Sequence, residues 1–254
     1  MKIEEKEFSL TASDGQTVRG VYRDTGEGPV GAFLHGLLSD AAGTKSMTLW
    51  DHAVQSNRSW IRFDMRAHGQ SDGKFEQFNI SRAVEDTRLV FEQFSKRPSI
   101  VVGSSMGGWV AAQCALDPAF NIAGLVLIAP AFNFIQDLYV SLDAKDKSLW
   151  KSTGSRLIES PYPDCDFSLS YQAVTDAHLH DVFSRSVDFD FPVTILHGKQ
   201  DDVVLPQLSM KFKRHARSKV NLEILEKADH RLTDHSDHIV RALDSIWQNA
   251  VNTD

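Results

Sequence analysis

Cysteine is nearly absent from this chain of 254 residues, with only Cys114 and Cys165. Two thiols without a CxxC pair or a histidine at metal-ligand spacing exclude a disulfide framework, a zinc ribbon and dithiol redox chemistry. Cys114 lies in the apolar helical pattern AAQCALD and reads as a small core residue. The chain also lacks any block of lysine and arginine, and its net charge is −7. Nucleic acid and anionic membrane are therefore excluded as expected partners. No apolar run reaches the length of a membrane span, and MKIEEKEFSLTASDG has none of the apolar stretch of a secretory signal. A reduced, cytoplasmic setting is the expectation. There is no internal repeat and no low-complexity segment.

What is present is an alternation of apolar bursts and helical patterns. The bursts are VGAFLHG (Val30–Gly36), SWIRFDM (Ser59–Met65), SIVVGSS (Ser99–Ser105), GLVLIAP (Gly124–Pro130), FPVTILHG (Phe191–Gly198) and NLEILEK (Asn221–Lys227). Ahead of them, EKEFSLTA and QTVRGVY flank a Ser-Asp-Gly turn signal and predict a hairpin. Continuous apolar strands separated by stretches such as SRAVEDTRLVFEQFSK imply a mostly parallel sheet covered by helices on both faces. One α/β domain over residues 1–254 is expected, since a chain of this length can close a single core. The rhythm breaks between Ala131 and Asp190, about sixty residues without a core strand. That interval holds mixed aromatic and charged residues, a proline-rich SPYPD turn and a helix predicted over YQAVTDAHLHDVFS. It reads as an ordered cap inserted into the domain.

Chemistry concentrates first in VVGSSMGGW. A serine hydroxyl is a weak nucleophile at neutral pH and needs a base, exposure and donors for the oxyanion. A tight strand-to-helix turn supplies the exposure when glycine stands two residues before and two after the serine. Gly103-Ser104-Ser105-Met106-Gly107 meets this with Ser105 central, whereas centring Ser104 puts Val102 and Met106 at the crowded positions. The competing readings are a structural glycine turn and a phosphate loop. A P-loop needs Lys followed by Ser or Thr after its last glycine, and Gly108-Trp109 stands there instead.

In an architecture with such an elbow, an acid follows a later strand and a histidine follows the last one. FPVTILHG leads into Lys199-Gln200-Asp201-Asp202, and Asp201 is favoured over Asp202 by the HGxxD spacing from His197. NLEILEK leads into Ala228-Asp229-His230-Arg231, which makes His230 the expected base. His235 and His238 fall in the following helix as surface residues, and two imidazoles alone make no metal site. The oxyanion amides are expected from Met106, after the nucleophile, and from Leu37 in His35-Gly36-Leu37-Leu38. His35 reads as a residue that shapes that loop.

Taken together, FLHGLL, RFDMRAHGQSDG, VVGSSMGGW, ILHGKQDDVVLP and KADHRL, in this order, resemble the α/β-hydrolase superfamily over nearly the whole chain. The resemblance implies a fold of about eight strands with a small cap. It also implies a catalytic set of Ser105, Asp201 and His230, with oxyanion amides from Leu37 and Met106. With GTK (Gly43–Lys45), the pattern is similar to the group of the mitochondrial palmitoyl-protein thioesterase and acyl-glucuronide hydrolase and its bacterial relatives. That implies cleavage of small-molecule acyl esters or thioesters, with no metal and no organic cofactor. Asp64 to Gly73 is expected to form a structured loop beside the site.

Ser105 excludes dehalogenases and epoxide hydrolases, which use aspartate at the elbow. A carbon–carbon hydrolase of ring-cleavage products would keep the same triad and differ only in cap contacts, so it stands as the alternative. A binding module on a disused hydrolase scaffold is the reading from a different class, and a complete triad argues against it.

Overall fold

Eight strands form one sheet in the order β1-β2-β4-β3-β5-β6-β9-β10. The computed structural model describes residues 5–160 and 166–251. The strands are β1 (Lys6–Thr11), β2 (Thr17–Arg23), β3 (Val30–Leu34), β4 (Ser59–Asp64), β5 (Ser99–Ser104), β6 (Ile122–Ile128), β9 (Val193–Gly198) and β10 (Val220–Leu225). β1 pairs antiparallel with β2, as the Ser-Asp-Gly turn predicts, and β2 pairs antiparallel with β4. From β4 to β10 every pairing is parallel. All six apolar bursts of the sequence lie in this sheet. The fold is that of an α/β-hydrolase, a mostly parallel sheet with helices on both faces.

The central strands β3, β5, β6 and β9 are buried nearly end to end because both faces are covered, while β1 and β10 at the two edges are partly exposed. Along β5, Val101 faces one core while Ile100 and Val102 face the other. On the second side, α1 (Thr44–Gln55) and α8 (Ser236–Val251) bury Leu49, Trp50, Ala53, Ile246 and Trp247. On the first, α2 (Ile80–Phe94), α3 (Met106–Ala115) and α7 (Gln207–His215) contribute Val90, Trp109, Val110 and Phe212. Cys114 is buried and free, and its burial pushes the thiol far above its ordinary range, which suits a core residue.

The segment between Ala131 and Asp190 holds α4 (Phe134–Ser141), α5 (Ala144–Thr153), the antiparallel pair β7 (Ser155–Ile158) and β8 (Phe167–Ser170), and α6 (Tyr171–Ala177). Its buried residues Phe132, Ile135, Leu169 and Val174 join the core formed by α2 and α3, with no separate centre of their own. The SPYPD turn, beyond Ser160, and Cys165 lie outside the described residues.

The predicted helix over 171–184 is shorter than its pattern. α6 ends at Ala177 and gives way to a 3₁₀ turn, His178–His180. The reason is tertiary. The His180 carbonyl accepts from Trp109 Nε1 at 2.9 Å and Gln113 Nε2 at 2.6 Å, so both donors on α3 compete with helical continuation. Ser81 adds a bond of 2.7 Å between its Oγ and His180 Nε2, and its amide donates to Asp176.

Candidate active site

Strands β3 and β5 are neighbours whose connections leave in opposite directions, and a crevice at their carboxyl ends is the expected ligand position in an open parallel sheet. Ser105 stands there, between the last residue of β5 and the first of α3. Its backbone is left-handed, with φ 54° and ψ −118°, a strained geometry for a residue with a side chain. The strain is held by bonds on both sides. Its amide donates to the Ile128 carbonyl at 2.8 Å, and its own carbonyl accepts from Gly108 at 2.9 Å and Ala131 at 3.0 Å.

The glycine spacing has a steric cause. A Cβ on Gly103 would collide with the Gly107 carbonyl, and one on Gly107 with the carbonyl oxygens of Leu34 and His35. A Cβ on Gly108 would reach 2.9 Å from Pro130. Ser104 is buried as the last residue of β5, while Ser105 is partly exposed.

The three residues singled out in the sequence come together from the ends of three strands. His230 Nε2 lies 3.1 Å from Ser105 Oγ, and His230 Nδ1 lies 2.7 Å from Asp201 Oδ2. Asp201 is buried in the loop after β9, while Asp202 points outward and is exposed. The second carboxylate oxygen, Asp201 Oδ1, accepts from the amides of Val203 at 3.0 Å and Val204 at 2.8 Å. Burial alone would raise this carboxyl, but hydrogen bonds from His197 and His230 outweigh it and hold the group well below the ordinary carboxylate range.

The loop carrying His230 has its own anchors. Asp229 Oδ1 accepts from the amides of Arg231 and Leu232, each at 3.0 Å. Lys45 Nζ, from the first turn of α1, donates to the Arg231 carbonyl at 2.8 Å. Burial and the nearby Arg231 push the Lys45 ammonium down to about 8. His235 falls in a short 3₁₀ turn before α8 rather than in the helix itself, and His238 pairs with Glu223 at 2.6 Å.

Gly36 and Leu37 follow β3 beside the serine. A Cβ on Gly36 would lie 3.4 Å from Ser105 Cβ, so the loop abuts the elbow. Among the described residues, neither the Leu37 amide nor the Met106 amide donates to a protein acceptor. The loop is shaped by His35, which is fully buried. Its Nε2 accepts from the Met65 amide at 3.1 Å, so the proton sits on Nδ1 and is donated to the Gly36 carbonyl at 2.8 Å. Burial pushes His35 down to about 4. Burial, with His35 nearby, pushes His68 down to about 3.

Asp64 braces the loop that follows β4. Its carboxylate accepts from the amides of Ala41 at 2.6 Å and Gln70 at 2.8 Å. His197, Ser209 and Lys45 carry bonds in this region that the sequence did not single out. In the sequence His197 is only the origin of the HGxxD spacing, and Lys45 only a member of GTK.

The family described as "Serine aminopeptidase, S33" matches residues 32–185. The chain belongs to that family. Palmitoyl-protein thioesterase ABHD10, mitochondrial, of Homo sapiens is 26% identical over 214 residues, spanning 84% of this chain and 70% of that protein. A crystal structure of a protein from Agrobacterium vitis S4 is 29% identical, with a TM-score of 0.84, covering 100% of this chain and 99% of the other. The mouse alpha/beta hydrolase domain-containing protein 10 has a TM-score of 0.88 at 23% identity, over 96% of this chain and 99% of its own. Among the described residues no helix is long and apolar enough to cross a membrane.

Proposed function

We propose that this member of the serine aminopeptidase, S33 family is a serine hydrolase of carboxylic esters or thioesters. The observation that carries the reading is the position of His230, which presents one ring nitrogen to a serine on a strained elbow and the other to a buried carboxylate. In this mechanism Ser105 Oγ attacks the acyl carbonyl while His230 Nε2 takes its proton. Asp201 holds the Nδ1–H tautomer and stabilises the imidazolium that forms. The Leu37 and Met106 amides donate to the oxyanion, which the positive end of α3 also favours. His230 then protonates the leaving alcohol or thiol. Water, activated by the same imidazole, releases the acid and restores the serine. Besides substrate and water, every step uses side chains and amides of this chain, so no cofactor enters the scheme. The human relative named above is a palmitoyl-protein thioesterase, which supports the acyl chemistry by likeness. A cytoplasmic location and a small-molecule substrate belong to the same proposal.

A fluorophosphonate probe tests the class: we expect one adduct, on Ser105, absent in Ser105→Ala and retained in Ser104→Ala. Labelling that survives Ser105→Ala overturns the proposal. Rates on acyl esters and acyl thioesters of increasing chain length then fix the substrate class. A labelled enzyme that turns over neither would favour the carbon–carbon hydrolase.

A further inference from the structure

Asp201 is met by two imidazoles. His230 reaches its Oδ2 from the solvent side, and His197 reaches the same oxygen from inside the protein, Nε2 lying 3.1 Å away. His197 is fully buried on β9, four residues ahead of the acid. Its Nε2 also lies 2.7 Å from the Val204 carbonyl, which can only accept, so this nitrogen carries the proton. Its Nδ1 is 2.7 Å from Ser209 Oγ on α7, also fully buried. The ring is thus pinned at both nitrogens, and its N–H edge faces the carboxylate.

We propose that His197 is a positioning residue for the acid: its Nε2–H fixes the Val204 peptide and faces Asp201 Oδ2, leaving the carboxylate one free direction, toward His230. The inference rests on the triad reading above. Two of its parts are mechanical. Val204 accepts from His197 through its carbonyl and donates to Asp201 Oδ1 through its amide, so the ring braces the loop that grips the acid. Ser209 in turn fixes which way the ring faces. The third part is electrostatic. A donor beside Oδ2 lowers the basicity of the carboxylate, which keeps the proton on His230 when the imidazolium forms and tunes how strongly that imidazolium is stabilised. Among the described residues, His197 and His230 are the titratable side chains that meet Asp201, and Asp202 on the same loop points away.

His197→Phe keeps the volume and removes the donor, while His197→Gln places an amide N–H where Nε2 stood. Active enzyme is counted by fluorophosphonate titration, so unfolded material drops out of the comparison. For His197→Phe we expect kcat per labelled site to fall on the order of tenfold, the scale of losing an outer partner of a metal-bound imidazole. The acid limb of kcat/KM should move up by about half a pH unit, because a carboxylate without that donor stabilises protonated His230 more. His197→Gln should bring the limb back. A lower melting temperature with an unmoved limb would mean that the ring is structural only and overturns the proposal. Should the phenylalanine variant fail to fold, nitrogen-15 spectra of histidine-labelled wild type decide. Protonation of His197 at Nε2 with Nδ1 bare supports the role, and a bare Nε2 refutes it. Loss of labelling in the wild type would sink the triad reading instead, a separate result.

Discussion

The α-carbon of Gly107 lies against the carbonyl oxygen of Leu34, so close that a single added methyl would overlap it. This contact joins the first turn of α3 to the end of β3 and sets the distance between the serine elbow and the loop of Leu37. Gly107→Ala should therefore push the helix away from the sheet, at a cost of about 3 kcal/mol. Fluorophosphonate labelling of Ser105 should be lost or slowed with it. Gly36→Ala, whose new carbon would meet Ser105 Cβ at 3.4 Å, should fold and label. Thermal melts with parallel labelling check both. A Gly107→Ala protein that melts and labels like the wild type would show that the close approach is not needed.

Asp201 and Asp202 are adjacent in sequence and opposite in environment. Asp201 accepts from His230 and from two amides, whereas Asp202 is exposed. Asp201→Asn should lower kcat by about 10⁴, as loss of the tautomer-setting carboxylate does in serine proteases. Asp202→Asn should stay within about twofold, the behaviour of a surface substitution away from special features. Steady-state rates on one activated ester separate them, and equal losses would move the acid's role off Asp201.

Acid should destabilise the fold through His35 and His68. Burial holds them at about 4 and about 3 in the folded chain, against an ordinary value of 6.5. As pH falls below 6.5 the unfolded chain takes up both protons and the folded chain takes up neither until near 4. The unfolded state then binds more protons, so stability present above pH 6.5 is lost through this window. By pH 5 the loss is about 2 kcal/mol for each histidine. His68→Phe, whose ring fits beside Phe75 and Phe78, should remove about half of the fall. Urea titrations at pH 7 and pH 5 measure it. A variant with the wild-type pH slope would mean that His68 is not held neutral.

Much of this architecture was legible because its steric causes act within a few residues. The run VVGSSMGGW could centre on Ser105 alone, since side chains at 103 and 107 collide with backbone. The central strands β3, β5, β6 and β9 were legible because burial on both faces leaves continuous apolar runs. What no local pattern encodes depends on partners far apart in sequence. The early end of α6 is set by Trp109 and Gln113, about seventy residues upstream. His197 is only the origin of the HGxxD spacing in the sequence, because its bonds to Val204 and Ser209 exist only once β9 and α7 are packed. Lys45 reaches Arg231 across 186 positions, and no local pattern announces that.

The double acceptor at the His180 carbonyl has a practical bearing on redesign. The segment inserted between β6 and β9 is stitched to the very helix that begins after Ser105, through Trp109 and Gln113. A chimera that imports residues 131–190 from another hydrolase, and leaves α3 as it stands, would set two buried donors against a foreign surface. The piece that can be exchanged as a unit is thus a pair of non-contiguous segments, the insertion together with the outer face of α3. Shuffling crossovers placed between them would be expected to yield mostly insoluble progeny.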